Sequence, residues 1–135
     1  MPRPSVWLIR TALLYLGAGF TIGALILFQK GIPYAGAVWL LLPMHIEFLL
    51  IGWTMQLAMG MGFWILPRFL HGAARGDERL IWLAYLALNA GVLSVGVGEW
   101  LGAPSVILFG GRIAELVSAL LFALQAWPRV KPQGV

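Results

Sequence analysis

The sequence predicts an all-α integral membrane protein, a bundle of four transmembrane helices, and three observations lead to this fold class. Hydrophobic residues make up 61% of the 135 residues and charged residues only 10%, whereas a soluble domain is about half apolar and about a quarter charged. Four apolar segments each reach the ~20 residues that a helix needs to cross ~30 Å of hydrocarbon. The connections between them are short, which makes consecutive helices antiparallel neighbours in an up-down bundle.

The four helices form one transmembrane domain over residues 1–135, as expected for a chain of this length. Arg3 and Arg10 accompany the first helix as they would a signal peptide, but its apolar run is long and lacks a small-residue cleavage site, so we expect it to be retained. The second helix is the longest, so it should be tilted or should have Pro43 in its true first turn. The predicted ranges are about 7–28, 38–66, 80–101 and 105–127.

Basic residues predict the orientation of the bundle, because Lys and Arg concentrate in cytoplasmic segments. Seven of them lie on the side that holds both termini and the loop between the second and third helices, whereas Lys30 lies on the other side and Arg112 lies inside the fourth helix. Both termini are therefore expected in the cytoplasm, with the protein in a plasma membrane, a prokaryotic inner membrane being favoured. The seven are Arg3, Arg10, Arg68, Arg75, Arg79, Arg129 and Lys131.

The composition also excludes several classes of function. Because the chain has no cysteine, disulfides, thiolate zinc sites and iron–sulfur clusters are ruled out. The net charge of +4 does not indicate a nucleic-acid partner, because the basic residues lie at the ends of segments and form no clustered basic face. The partner that the composition requires is the lipid bilayer.

Ionisable residues converge at one depth of the predicted bundle. His45 and Glu47 lie in the outer third of the second helix. Glu99 lies near the outer end of the third, and Arg112 and Glu115 lie at a similar depth in the fourth. Charged groups are costly in lipid, so they usually face one another inside a bundle. His45 and Glu47 are about 200° apart on a helix, so they face different directions unless the nearby proline distorts the turn.

Each of these residues also has a simpler interpretation. Arg112 and Glu115 stand at i and i+3 and can neutralise each other, or Arg112 can extend to the outer headgroups. Glu99, beside a tryptophan, can lie at the membrane interface, and His45 can be a neutral residue that is hydrogen-bonded near the helix entrance. His71, in the loop before the third helix, is expected to be solvated rather than to act as a ligand.

The stretch HIEFLLIGWTMQLAMGMGFWILPRF, residues 45–69, resembles the second transmembrane helix of the subunit I group of haem-copper oxidases. The resemblance is closest to short proteins that are similar to cbb3-type cytochrome c oxidase subunit I. The third and fourth segments fit such proteins only loosely. The matching positions are His45, Gly52-Trp53, Gly62-Phe63-Trp64 and Pro67-Arg68.

The resemblance implies that His45 is an axial ligand of a b-type haem near the outer membrane face, the depth that the charge pattern gives it independently. Arg112 then suits a haem propionate, since a guanidinium pairs with carboxylates in a forked geometry. The chain lacks the later helices that carry the second axial ligand, the copper-site histidines and the active-site haem ligand. It also has Glu47 where short relatives have a second histidine. Oxygen reduction by this chain alone is therefore not expected.

Three functions remain open at this stage. The first is a small haem b protein for electron transfer or gas sensing, whose sixth ligand is His45 of a second subunit in a homodimer, a methionine, or nothing. The second is a divalent-metal or proton site in a transporter or accessory subunit, built from His45, Glu47, Glu99 and Glu115, whose nitrogen and oxygen atoms suit zinc, iron or manganese. The third is a non-catalytic, cofactor-free subunit of a respiratory membrane complex, in which the polar groups dock neighbouring helices.

Overall fold

The computed structural model describes residues 1–69 and 75–130, and the regular elements in these ranges are helical. His71 and Lys131 lie outside the described residues. Four helices are long and apolar enough to span a membrane, so the chain is a multi-pass membrane protein, and each predicted boundary lies within four residues of the observed one. The first to fourth helices are Arg3–Gly31, Gly36–Ile65, Glu78–Leu101 and Ser105–Arg129.

The ends of the third helix show how local sequence sets these boundaries. At its start, Oδ1 of Asp77 accepts a hydrogen bond from the backbone N–H of Arg79 at 2.9 Å, which satisfies one of the amides left free at a helix N-terminus. At its end, Gly102 takes the left-handed conformation with φ 68°, and the N–H of Ala103 donates to the carbonyl oxygen of Gly98 at 2.8 Å. This is a Schellman ending, which glycine favours because it has no Cβ.

The second helix changes its hydrogen-bonding pattern along its length. A 3₁₀ segment over Gly36–Leu41 leads into an α-helical segment over Leu42–Glu47, a π-helical segment over Phe48–Met55 and a final α-helical segment over Gln56–Ile65. Pro43 lies in the first turn of the first α-helical segment, which is one of the two arrangements predicted for it. Since a proline in a first turn costs no helical hydrogen bond, the α-helical segment runs through His45 and Glu47 up to the start of the π-helical segment.

Glycines allow the helix backbones to approach closely. On the second helix, a Cβ added to Gly52 would lie 2.6 Å from Cγ of Tyr15 in the first helix. On the third helix, a Cβ added to Gly91 would lie 2.7 Å from the backbone oxygen of Gly111 in the fourth. Close packing through small residues is the usual way in which membrane helices associate. Buried core residues include Leu8, Phe63, Ile81, Leu88 and Val92.

One end of the bundle, where the second and fourth helices terminate, contains a buried arginine. Arg129, which the charge pattern treats only as an orientation signal, is fully buried there. Its Nη2 donates to the carbonyl oxygens of Phe63 and Leu66 at 2.8 and 2.7 Å, and its Nε donates to that of Pro67 at 3.0 Å. The last carbonyls of a helix have no helical donor, so Arg129 caps the second helix with a side chain from the fourth.

Candidate functional site

His45 lies on the second helix and faces the first. Its Nδ1 is 2.7 Å from the carbonyl oxygen of Gly19. Because a carbonyl oxygen can only accept a hydrogen bond, Nδ1 carries the proton, and in the neutral ring Nε2 holds the lone pair. The imidazole rests against Gly23, where an added Cβ would lie 2.5 Å from Cε1. The first helix therefore fixes both the position of the ring and its tautomer, which leaves Nε2 available as a ligand.

A pocket of about 530 Å³ lies beside His45, between the first helix and the start of the second. Its walls include the apolar side chains of Phe20, Leu27 and Trp39, and Lys30 adds a positive charge. The volume falls in the range of about 300–1,000 Å³ that is usual for small-molecule sites, which also combine apolar walls with a few polar groups. The pocket is thus mostly apolar, and His45 and Lys30 are its polar members.

Glu47 points away from His45 and meets two residues of the fourth helix. Nη1 of Arg112 donates to Oε2 of Glu47 at 2.7 Å and to Oε2 of Glu115 at 3.0 Å. The carboxylate side chains are only 5% and 10% exposed, whereas that of Arg112 is 49% exposed. The second oxygen of each carboxylate, Oε1, is buried without a hydrogen-bond partner among the described residues. We call Glu47, Arg112 and Glu115 the triad.

Glycines on the third helix make room for the triad. A Cβ added to Gly96 would lie 3.6 Å from Cβ of Glu47, and one added to Gly91 would lie 2.7 Å from Cγ of Glu115. A larger side chain at Gly91 would displace Glu115, whereas one at Gly96 would first meet the ring of Phe48, 3.1 Å from the added Cβ. The triad thus joins the second and fourth helices across a face of the third that small residues keep open.

The structure brings together three of the five ionisable residues that were expected at one depth. Glu47, Arg112 and Glu115 meet in the triad, and Arg112 forms the i,i+3 ion pair that was considered for it. His45 faces the first helix instead, as the 200° separation from Glu47 requires. Glu99 is exposed near the end of the third helix.

The four residues considered for a metal site do not lie together in the structure. Within residues 1–69 and 75–130, no three His, Asp or Glu side chains come together as a metal site requires. Glu47 and Glu115 are neighbours through Arg112, but His45 is turned toward Gly19. Of the residues predicted to bind a cofactor, His45 lines a pocket, whereas Arg112 is paired with two carboxylates.

Comparisons with protein-family models, with curated proteins and with solved structures found no match. The likeness of residues 45–69 to the second helix of oxidase subunit I therefore stays a resemblance, and the functional argument depends on the geometry around His45.

Proposed function

We propose that the protein is a small membrane haem protein in which Nε2 of His45 ligates a b-type haem, for electron transfer or gas sensing. The observation that carries this proposal is the 2.7 Å hydrogen bond between Nδ1 of His45 and the carbonyl oxygen of Gly19. Histidines that bind metals almost always donate their other ring N–H to a carbonyl or carboxylate, which fixes the tautomer and makes the ligating nitrogen more basic. His45 has this second partner already in place.

The pocket beside His45 supports the choice of haem. Phe20 and Trp39 supply aromatic wall, and the ammonium group of Lys30 can pair with a propionate. Nη1 of Arg112 is held by two carboxylates, so in this proposal Lys30 takes the role that the sequence suggested for Arg112. A bound haem supplies an iron centre that carries one electron or binds a diatomic gas.

The pocket beside His45 opens on the outer surface of the bundle, and this opening determines what can reach a bound haem. Phe20 and Leu27 are largely exposed on the outer surface of the bundle, so the pocket opens toward the lipid. From this open side, a gas or His45 of a second subunit in a homodimer would be able to reach a bound haem. In this proposal the termini are cytoplasmic, and His45 lies near the outer face of a prokaryotic inner membrane, as the distribution of Lys and Arg favours.

A His45→Gln variant tests the proposal. Wild-type protein, expressed with an adequate haem supply and purified in detergent, is expected to show a Soret band that shifts on reduction. His45→Gln is expected to lose at least about tenfold in bound haem per chain, because the glutamine amide offers no imidazole nitrogen to the iron. Circular dichroism of the variant checks that the helices are intact.

The matched control for this variant is Glu99→Gln, which removes an exposed ionisable group of the third helix and should leave the spectrum unchanged. Wild-type protein without a Soret band contradicts the proposal. So does a His45→Gln variant whose band is as strong as that of the wild type.

A second prediction concerns the contact that orients the imidazole. Gly23→Ala is expected to weaken haem binding by about tenfold, because the new Cβ would lie 2.5 Å from Cε1 and 3.0 Å from Nδ1 of His45 and displace the ring from Gly19. The affinity is measured by titrating haem into the apoprotein in detergent. Gly17→Ala is the control on the same helix, since a Cβ there meets nothing within 4 Å. Equal affinities for the two variants would show that the first helix does not orient the ligand.

A further inference from the structure

A second groove, of about 470 Å³, lies between the first and third helices and includes neither His45 nor any residue of the triad. Leu14, Leu86 and Leu93 form part of its walls and are exposed on the outer surface of the bundle. The groove is therefore open to the hydrocarbon of the membrane. Whatever occupies it must be soluble in lipid.

Three polar side chains, those of Thr11, Tyr85 and Asn89, line this otherwise apolar groove. Oγ1 of Thr11 and the hydroxyl of Tyr85 are 3.0 Å apart, and one donates to the other. Nδ2 of Asn89 donates to the backbone oxygen of Tyr85 at 2.8 Å. The mutual bond uses one of the two hydroxyl protons, and the amide keeps its carbonyl oxygen and a second N–H. The groove thus offers an O–H donor and an amide acceptor to an incoming molecule.

The depth of these groups narrows the choice of occupant. Asn89 is near the middle of the 24-residue helix Glu78–Leu101, about 16 Å or more from either end at 1.5 Å per residue. Lipid headgroups do not reach this depth, and polar groups left without partners in hydrocarbon are costly. An occupant that brings its own polar atoms to this depth would therefore satisfy the donor and the acceptor that these bonds leave unused.

We propose that this groove binds the ring of a lipid-soluble quinone. Such a ring is apolar on both faces, and its two oxygens accept hydrogen bonds in the oxidised form and donate them in the reduced form. A ring oxygen can accept from the hydroxyl of Tyr85 or Thr11, and a ring hydroxyl can donate to Oδ1 of Asn89. Tyr15 and Phe48, whose ring centroids are 5.0 Å apart in an edge-on arrangement, give the groove an aromatic wall.

A second copy of this chain fits the groove less well than a quinone does. In a symmetric pair built on this face, the side chains beside the groove would enter it, and the exposed Leu14, Leu86 and Leu93 carry no polar atom to meet Tyr85 or Asn89. The quinone site is also independent of haem, because His45 does not line it. A protein that binds no haem can therefore still bind quinone here, and the two proposals can fail separately.

Photoaffinity labelling in proteoliposomes tests the quinone site. An azido-benzoquinone with a short alkyl tail is expected to label peptides from the first or third helix, and unlabelled quinone should compete. Tyr85→Phe, Asn89→Leu and Thr11→Val are each expected to reduce labelling by about fivefold, the effect of losing one hydrogen bond of about 1 kcal/mol. Thr21→Val is the control, because the exposed hydroxyl of Thr21 donates to the carbonyl of Gly17 on the same helix and Thr21 does not line the groove.

Three outcomes would overturn the proposal. The first is an absence of competed labelling in the wild-type protein, and the second is equal labelling of all four variants. The third uses the absence of native cysteine: Ala18→Cys places a single thiol on the wall of the groove. A disulfide between two copies that forms equally well with excess quinone would assign the groove to a second copy of the chain.

Discussion

Replacing Arg129 with alanine is expected to lower the free energy of unfolding by about 3 kcal/mol, at about 1 kcal/mol for each of three carbonyl groups that lose their donor. The guanidinium is fully buried and bonds to the carbonyl oxygens of Phe63, Leu66 and Pro67. It also lies 5.0 Å from the centroid of the Phe63 ring, so its removal leaves a cavity as well. Reversible unfolding by sodium dodecyl sulfate in mixed micelles, followed by circular dichroism, measures the change.

Two further variants test the cause of this loss. Arg68→Ala removes an exposed arginine near the same end of the bundle and should change stability by less than about 0.5 kcal/mol. Arg129→Lys should recover only part of the stability, because an ammonium group cannot reproduce the forked donors of a guanidinium. If Arg129→Ala and Arg68→Ala were equally stable, the capping role of Arg129 would be wrong.

Arg112→Gln is expected to destabilise the protein by about 1.5–3 kcal/mol, the range for losing a hydrogen bond to a charged group, because the Arg112 side chain is 49% exposed and the pair is not fully buried. The carboxylates of Glu47 and Glu115 are mostly buried, and both accept from the same Nη1. Without the guanidinium the two mostly buried carboxyl groups lose their shared cation, so that they either repel each other as like charges or one of them must take up a proton. The same unfolding measurement reports the loss.

Replacing both carboxylates in the Arg112→Gln variant shows whether the loss of stability comes from unpaired charge or from the lost packing of the arginine side chain. Glu47→Gln and Glu115→Gln, added to Arg112→Gln, should restore most of the lost stability, because amides can hydrogen-bond to one another without carrying charge. A triple variant as unstable as Arg112→Gln would show that the triad stabilises the bundle through the packing of the arginine side chain, and the electrostatic account would then be abandoned.

The ranges of the four helices and the opposite directions of His45 and Glu47 could be predicted from the sequence, because both depend on neighbouring residues only. Hydrocarbon thickness sets the length of each apolar run, so the predicted ranges come within four residues of the observed helices. Helical periodicity alone requires that His45 and Glu47 point apart. In the structure one bonds to the first helix and the other to the fourth.

The burial of Arg129 could not be predicted in the same way. Charge counting treats every arginine at the end of a helix alike, and only the packing of the fourth helix against the end of the second distinguishes Arg129 from Arg68. The hydroxyl pair in the quinone groove joins Thr11 to Tyr85, 74 positions apart. Such a contact depends on how two helices are rotated about their axes, which hydrophobicity does not specify when most faces are apolar.

The π-helical segment Phe48–Met55 sets the angle between the two halves of the second helix. Each residue advances an α-helix by about 100°, so a change of one residue in this segment would turn everything after it by roughly that amount relative to His45 and Glu47. The carbonyl oxygen of Phe63 would then no longer lie within hydrogen-bond distance of Arg129. The contacts of His45 and Glu47, which precede the segment, would be unchanged. The π-helical segment therefore sets the rotation that lets one helix make three contacts at once. His45 contacts Gly19, Glu47 contacts Arg112, and Phe63 contacts Arg129.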